Sequence, residues 1–483
     1  MLSNFYLGDF MSFISISFAI FFFIFILLYH IAPRFNLPPL AQQVLILVGS
    51  FVFYMAADFR FAPFLLYIIA VSYFAGLFCK TRLVFALFLI ADLVPLLFFK
   101  YALQDWRAHI IFPLGLSFFT FQSISYISDC YTNKIAAEKN PLIVATFISF
   151  FPTISSGPIQ RAPSLIPQLK TVHHFDYYSA TDGMKIFAWG LFKKLCIADR
   201  IALYVNYVYD NAFNQYGLAL FFATLLYSFQ IYCDFSGYSD MAIGVARFLG
   251  FDVGKNFDHP YLSKSVGEFW RRWHISLSTW LRDYIYIPLG GSRVALPRIY
   301  ANLIITFLVS GIWHGAGWNF VVWGLIHGLY QCVGRFSKPL WEKIKLPSIL
   351  KIFITFCLVT FAWIFFRTNS LEQAGIVIAK IARTPFETIQ FLNLIKENGV
   401  SEALHTMLSM TMKTGGAIKD TLKTICMLLI FIASSLATIK KPGIEIIRNK
   451  HPAIRWALYI CLIFTTMFYM SSSYSGNFIY QSF

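Results

Sequence analysis

A polytopic bundle of α-helices embedded in a membrane is the fold class this sequence predicts, and three observations predict it. Hydrophobic residues make up 58% of the 483 and charged residues only 13%, which leaves too little polar surface for a water-soluble globule of this length. Apolar runs of about 20 residues, the length of one membrane-spanning helix, recur from end to end. The polar breaks between them are mostly short, so a single transmembrane domain over residues 1–483 is expected, with roughly 11–13 spanning or re-entrant helices.

The formal net charge of +16 comes from 39 Lys and Arg against 23 Asp and Glu. In a membrane protein that excess marks cytoplasmic loops beside anionic lipid, and no nucleic-acid partner is expected. The eight cysteines stand singly, without a CxxC pair, and read as small apolar residues. The aromatic share of 19% serves chiefly packing and interfacial anchoring.

Taken in order, apolar runs near 11–31, 40–57, 61–79 and 83–99 predict four tightly connected helices. The first has no basic region ahead of it and no small-residue cleavage pattern behind it, so a retained span with an outside N-terminus is expected. Asp92 lies within the fourth, where a carboxylate is either functional or a structural hydrogen-bonding group. Gln122, Ser125 and Asp129 share one face of the next predicted helix, which should pack on protein or a wet cavity. Three prolines within 152–163 interrupt the apolar pattern and predict either a re-entrant segment or a surface loop. Lys193, Lys194, Asp199 and Arg200 suggest a helix end that snorkels toward headgroups. YCDFSGYSDMAIGVARFLGF then places Asp234, Tyr238, Asp240 and Arg247 among apolar residues, where they should face inward and find partners.

The stretch 269–323 holds the candidates for chemistry. As a helix, 268–284 separates into an apolar stripe with Trp270, Trp273, Leu277 and Trp280, a polar one with His274, Ser278 and Arg282, and a charged one with Asp283. SGIWHGAGWN surrounds His314 with Gly311, Gly315 and Gly317, which allow close backbone approach. A histidine with an ordinary pKa of about 6.5 can serve as a base near neutral pH, although either histidine also fits a packing role. His327 is read as a structural, hydrogen-bond-donating packing residue. No HExxH and no Cys/His cluster at ligand spacing occurs, so no metal is expected. A P-loop and a GxSxG elbow are likewise missing from the sequence.

Basic loops around 335–345 and 440–451 read as cytoplasmic, which puts an amphipathic insertion at about 368–419 outside and the arginine-rich 262–298 inside. His274 then lies nearer the cytoplasm and His314 deeper. A reaction centre reached from both faces becomes geometrically reasonable.

PLGLSFFTFQSISYISDCY, FFPTISSGPIQR, GLFKKLCIADR, NFDHPYLSKSVGEFWRRWHISLSTWLRDYIYIPLGGSR, SGIWHGAGWNFVVWGLIHG and WIFFRTNSLEQA together resemble the membrane-bound O-acyltransferase family. The likeness is greatest to its bacterial branch of alginate and peptidoglycan O-acetylation membrane components, which is related to the teichoic acid D-alanine exporter. The usual terminal FIYFQF of that branch is FIYQSF here. The resemblance implies a catalytic core at about 110–335, the essential histidine at His314, and the second, Asn-or-His position at His274. Beside them, Trp273, Ser278, Arg282, Asp283, Trp313, Asn319, Asp234 and Tyr238 are the candidates for contacting substrate.

The same resemblance implies no bound cofactor, with acetyl-CoA or another acyl thioester, including an acyl carrier protein, as donor. A bacterial cytoplasmic-membrane location and an extracytoplasmic SGNH-type acetyltransferase or small membrane peptide as partner also follow. The expected reaction is acetyl transfer across the membrane to a polysaccharide hydroxyl. D-alanyl transfer to teichoic acid is the alternative acyl chemistry. A lipid or solute transporter is the alternative class, but the internal repeat that many transporters carry is missing.

Overall fold

The computed structural model describes residues 11–35, 37–102, 113–344, 346–398 and 418–470. Every regular element among them is helical. In hydrocarbon a backbone N–H or C=O meets no water, so each apolar run satisfies its polar groups within its own helix. Seven helical segments among the described residues are long and apolar enough to cross a membrane, including Ile16–Arg34, Arg82–Tyr101, Leu296–His314 and Pro452–Met470.

In chain order the first helices are α1 (Ile16–Arg34), α2 (Pro39–Asp58), α3 (Ala62–Phe78), α4 (Arg82–Leu97), α5 (Leu116–Tyr131), α6 (Pro141–Ser149), α7 (Ala162–Leu169) and α8 (Tyr177–Leu191). After a π-helical turn at Phe192–Ala198 come α9 (Asp199–Asp210), α10 (Gly217–Phe248), α11 (Val266–Arg272) and α12 (Ile275–Leu281). A second π-turn, Arg282–Tyr286, precedes α13 (Leu296–His314), α14 (Trp318–Phe336), α15 (Lys338–Lys343), α16 (Ser348–Arg367) and α17 (Leu371–Asn398). Two compact units interleave along this order. One comprises Met1–Leu191, Tyr238–Asn256 and His274–Trp280, the other Phe192–Gly237, Phe257–Trp273 and Leu281–Phe483.

In the first unit polar side chains tie helices together. Asp92 of α4 is fully buried and accepts from Ser123 Oγ of α5 at 2.8 Å, while Ser123 Oγ lies 2.6 Å from Ser72 Oγ of α3. That arrangement gives the intramembrane carboxylate a structural role. Gln122 donates to the carbonyl of Phe147 in α6, as expected of a polar face packed on protein. The proline-rich segment after α6 forms buried turns, with Phe150, Phe151, Ile154 and Ser156 inside the protein. Phe151 N–H donates to Ser50 Oγ at 3.1 Å, and Gln160 donates to Pro158 and Val253 carbonyls at 2.8 and 3.1 Å. Non-helical backbone is tolerated at depth because protein groups satisfy it in this way. Gly115, at φ 69°, is required here, since a Cβ would sit 2.2 Å from the Ile154 carbonyl oxygen.

In the second unit the expected snorkelling end is instead an interior ion cluster. Lys194 is 1% exposed, and its Nζ lies 2.7 Å from both Asp199 Oδ1 and Asp234 Oδ1. Lys193, also buried, donates to Ser236 Oγ at 2.9 Å. The π-helical backbone of Phe192–Ala198 shifts the lysines off the register that a regular helix would give them. One carboxylate from the start of α9 and one from α10 then hold Lys194 inside the protein.

Helix α17, the start of the expected external insertion, is fastened to the turn before α10. Its Lys380 donates to the Phe213 and Gln215 carbonyls at 2.6 and 2.8 Å. Its Glu387 accepts the free N–H groups of Gly217 and Leu218 at the start of α10, at 3.1 and 3.2 Å. Residues 399–417 of that insertion lie outside the described residues.

Candidate functional site

His314 is the last residue of α13, and its position follows from how α13 and α14 cross. At Gly311 a Cβ would lie 2.3 Å from the Phe320 carbonyl oxygen, and at Gly324 one would lie 2.4 Å from that of Phe307. Two helices meeting at backbone distance are possible only with glycine at both points. The crossing brings the His314 ring, 3% exposed, into an aromatic frame. Trp323 stands perpendicular to it at 5.0 Å, Phe366 of α16 at 5.2 Å, and the neighbouring Trp313 at 4.7 Å between ring centroids. Edge-to-face rings on several sides fix an imidazole's plane and keep bulk water away.

Asn319 locks the hairpin to α16. Its amide nitrogen donates to the Phe365 and Thr368 carbonyls, at 3.1 and 2.7 Å, and so satisfies carbonyls left open at the C-terminal end of that helix. Trp273 belongs to the same unit, packed among Phe257, Phe269, Tyr261 and Trp363. Trp363 stacks on Trp323 at 6.0 Å, so a continuous aromatic row runs from Trp273 through Trp363 and Trp323 to His314.

His327 faces this row from α14. It accepts the indole N–H of Trp270 on Nδ1 at 3.1 Å, so at this contact the expected donor is an acceptor. Trp323 and Trp363 of the row, and Trp270 and Phe366 beside it, lie inside the sequence blocks that carry the family resemblance, yet none of them was among the candidate site residues. Helical spacing from His314 could not find them, because His314 ends α13 and they stand on α11, α14 and α16.

In the first unit, His274 lies where one continuous helix over 268–284 was expected; the structure breaks that helix. Trp273 N–H still closes the last bond of α11 to the Phe269 carbonyl at 2.7 Å. His274 then turns to φ 41°, a region sparsely used by residues other than glycine, with histidine among the commoner exceptions. Asn256 accounts for the break within this unit. Its carbonyl accepts from Ile275 N–H at 2.9 Å and its Oδ1 from Ser276 Oγ at 2.6 Å, so the start of α12 is capped from outside. The stripes of a single segment carry no trace of a cap that comes from elsewhere in the chain.

The break leaves His274 fully buried, its ring 6.4 Å from Phe118. Ser278 stands one turn on, its N–H bonded to the His274 carbonyl at 2.9 Å. Trp280 anchors α12 by donating to the Phe121 carbonyl at 2.8 Å with its ring stacked on Phe121 at 4.0 Å. A non-glycine residue held in strained backbone by such over-determined surroundings is a common mark of a functional position.

The other candidates sit as follows. Tyr238 is buried in the first unit, and Asp234 belongs to the Lys194 cluster of the second. Arg282 and Asp283 pair at 2.7 Å in the second π-turn, with the guanidinium side chain 59% exposed. Among the described residues no group of three or more His, Cys, Asp or Glu side chains is arranged to hold a metal ion. The arrangement offers a buried imidazole fixed by aromatic rings and glycine crossings, suited to taking a proton from a hydroxyl.

Comparison with known proteins bears on what such a centre does. Residues 64–372 match the model of the membrane-bound O-acyltransferase family. The peptidoglycan O-acetyltransferase of Helicobacter pylori is 35% identical over 435 residues, 79% of this chain and 82% of that protein. A probable alginate O-acetylase of Pseudomonas aeruginosa is 37% identical over 358 residues, 69% of this chain and 68% of that one. The teichoic acid D-alanyltransferase of Bacillus subtilis is 31% identical over 285 residues, 53% of this chain and 69% of its own length.

Proposed function

Because the chain belongs to the membrane-bound O-acyltransferase family, we propose that it carries acetyl groups from a cytoplasmic thioester across the membrane to hydroxyls of an extracytoplasmic polysaccharide. It is an acyltransferase and a multi-pass membrane protein, so both substrates have to reach one interior centre. Support for acetyl as the acyl group comes from the relatives named for O-acetylation, which match at higher identity and over more of the chain than the D-alanyltransferase. Peptidoglycan and alginate, the polymers in those names, are the acceptor classes to test first. The donor is acetyl-CoA or an acetylated carrier protein, and the membrane is the bacterial cytoplasmic membrane.

The buried, ring-framed imidazole of His314 carries the mechanistic reading. It acts as general base: it takes the proton of the acceptor hydroxyl as that oxygen adds to the thioester carbonyl. When the tetrahedral intermediate collapses, the C–S bond breaks and the proton passes from His314 to the leaving thiolate. His274, at the strained junction before α12, is the second position that the family resemblance marks for function. Trp273, Trp313, Asn319 and Asp234 in one unit, and Tyr238 and Ser278 in the other, are the residues assigned to substrate contact, and the Arg282–Asp283 turn receives the donor on the cytoplasmic side. An SGNH-type acetyltransferase or small membrane peptide completes delivery to the polymer.

The test is complementation of a strain lacking its own copy of the protein, with base-labile acetate released from envelope polysaccharide as readout. Wild type is expected to restore it and His314→Ala to leave it at the background of the deletion strain. Full activity in His314→Ala would remove the base assignment. D-alanine in place of acetate would change the acyl group and leave the family reading intact.

A further inference from the structure

Two buried ring N–H groups near His314 have no protein hydrogen-bond partner among the described residues, one on a ring that touches His314 and the other on the ring beyond it. Trp323 is fully buried, and its Nε1–H meets no protein acceptor among the described residues. His327 is fully buried as well. Because its Nδ1 accepts from Trp270, the neutral ring carries its proton on Nε2, which also has no protein partner among the described residues. The Trp323 ring stands between the two imidazoles, 5.0 Å from His314 at 88° and 4.9 Å from His327 at 69°.

Unpaired donors at this depth are costly, and folded proteins carry few of them. The one on the ring next to the proposed base calls for an acceptor brought by the reaction. Acyl transfer supplies one: the carbonyl oxygen gains a full negative charge in the tetrahedral intermediate, and donors held rigidly where that charge develops are often the largest catalytic contribution. Rigidity is available here, since Trp323 is clamped by Trp363, Phe366, Trp270 and the Gly311/Gly324 crossing one residue away.

We infer that Trp323 is a catalytic residue whose indole N–H stabilises the oxyanion of the acyl-transfer intermediate. The inference rests on the acyl-transfer reading with His314 as base. As the hydroxyl oxygen bonds to the carbonyl carbon, the carbonyl electron pair moves to oxygen and the hydroxyl proton to His314. Trp323 donates its hydrogen bond to that oxygen and gives up no proton. When the C=O re-forms, the C–S bond breaks and His314 protonates the thiolate.

Trp323→Phe keeps an aromatic ring and removes the N–H. In the deletion strain, with full-length protein at wild-type membrane levels, the initial rate of acetate incorporation from a labelled-acetate pulse is expected to fall about 10²- to 10³-fold. A rate above one third of wild type would overturn the inference. If Trp323→Phe does not accumulate, 3-benzothienylalanine incorporated at position 323 preserves the bicyclic shape with sulfur in place of N–H, and the same two thresholds apply. His314→Ala runs in parallel. An inactive His314→Ala beside an active Trp323→Phe sinks the oxyanion role alone, whereas an active His314→Ala removes the reading on which it stands.

Discussion

Lys194 is held at 2.7 Å by two carboxylates that would otherwise lie uncompensated in the interior. Removing one partner of a buried ion pair costs about 3–5 kcal/mol, because the charge left behind keeps its desolvation penalty. Lys194→Ala is therefore expected to lower the unfolding temperature of the detergent-purified protein markedly. Lys194→Arg should recover part of the loss. If Lys194→Ala melts like wild type, the cluster contributes nothing to stability. Trp280 offers a milder contrast on α12. Trp280→Phe keeps the stack on Phe121 and deletes one hydrogen bond to its carbonyl, so a loss of about 1 kcal/mol is expected in the same measurement.

At the scale of elements, the proposed mechanism rests on the α13/α14 crossing and on the junction between α11 and α12. A methyl group at Gly311 meets a backbone oxygen at 2.3 Å, and a neighbouring helix cannot swing aside as a side-chain tip can. Gly311→Ala is expected to separate the helices, costing about 1–3 kcal/mol through overpacking. It should also reduce transfer about 100-fold, since a shift near 1 Å at a reacting group has that effect. Comparable acetate incorporation in Gly311→Ala would show that the crossing does not set the position of His314. At the other junction, Asn256→Ala removes the acceptor of Ser276 Oγ. A cap lost in this way typically costs about 1 kcal/mol, and activity should fall more than stability does, because His274 sits at the end that is freed.

For the whole molecule, the basic loops predict which segments lie on which side of the membrane. Glu372, exposed at the start of α17, should lie outside, and Lys441, exposed in the basic loop after Ile418–Ala437, should lie inside. Cysteine placed at each position, with an impermeant maleimide and the native eight-cysteine protein as background, distinguishes the two faces. Labelling of Glu372→Cys in intact spheroplasts, and of Lys441→Cys only after lysis, is the expected pattern. The reverse pattern would invert the direction of transport proposed here.

Composition and apolar run length by themselves determined the helical membrane class, because a solvent without hydrogen-bonding partners admits few other backbones. The family likeness pointed to His314 and His274 as a pair, and glycines around His314 marked a place of close backbone approach. Where a side chain's partner lies far along the chain, the sequence was silent or misleading. Lys194 read as a surface group until Asp234 of α10 met it, and 268–284 read as one helix until Asn256 capped its second half. Trp323 and Phe366 come from α14 and α16, which are separated along the chain by α15, yet both frame the same imidazole. Periodicity reports which face of one helix is apolar. Which charges, caps and rings meet across helices is decided only when the chain has packed.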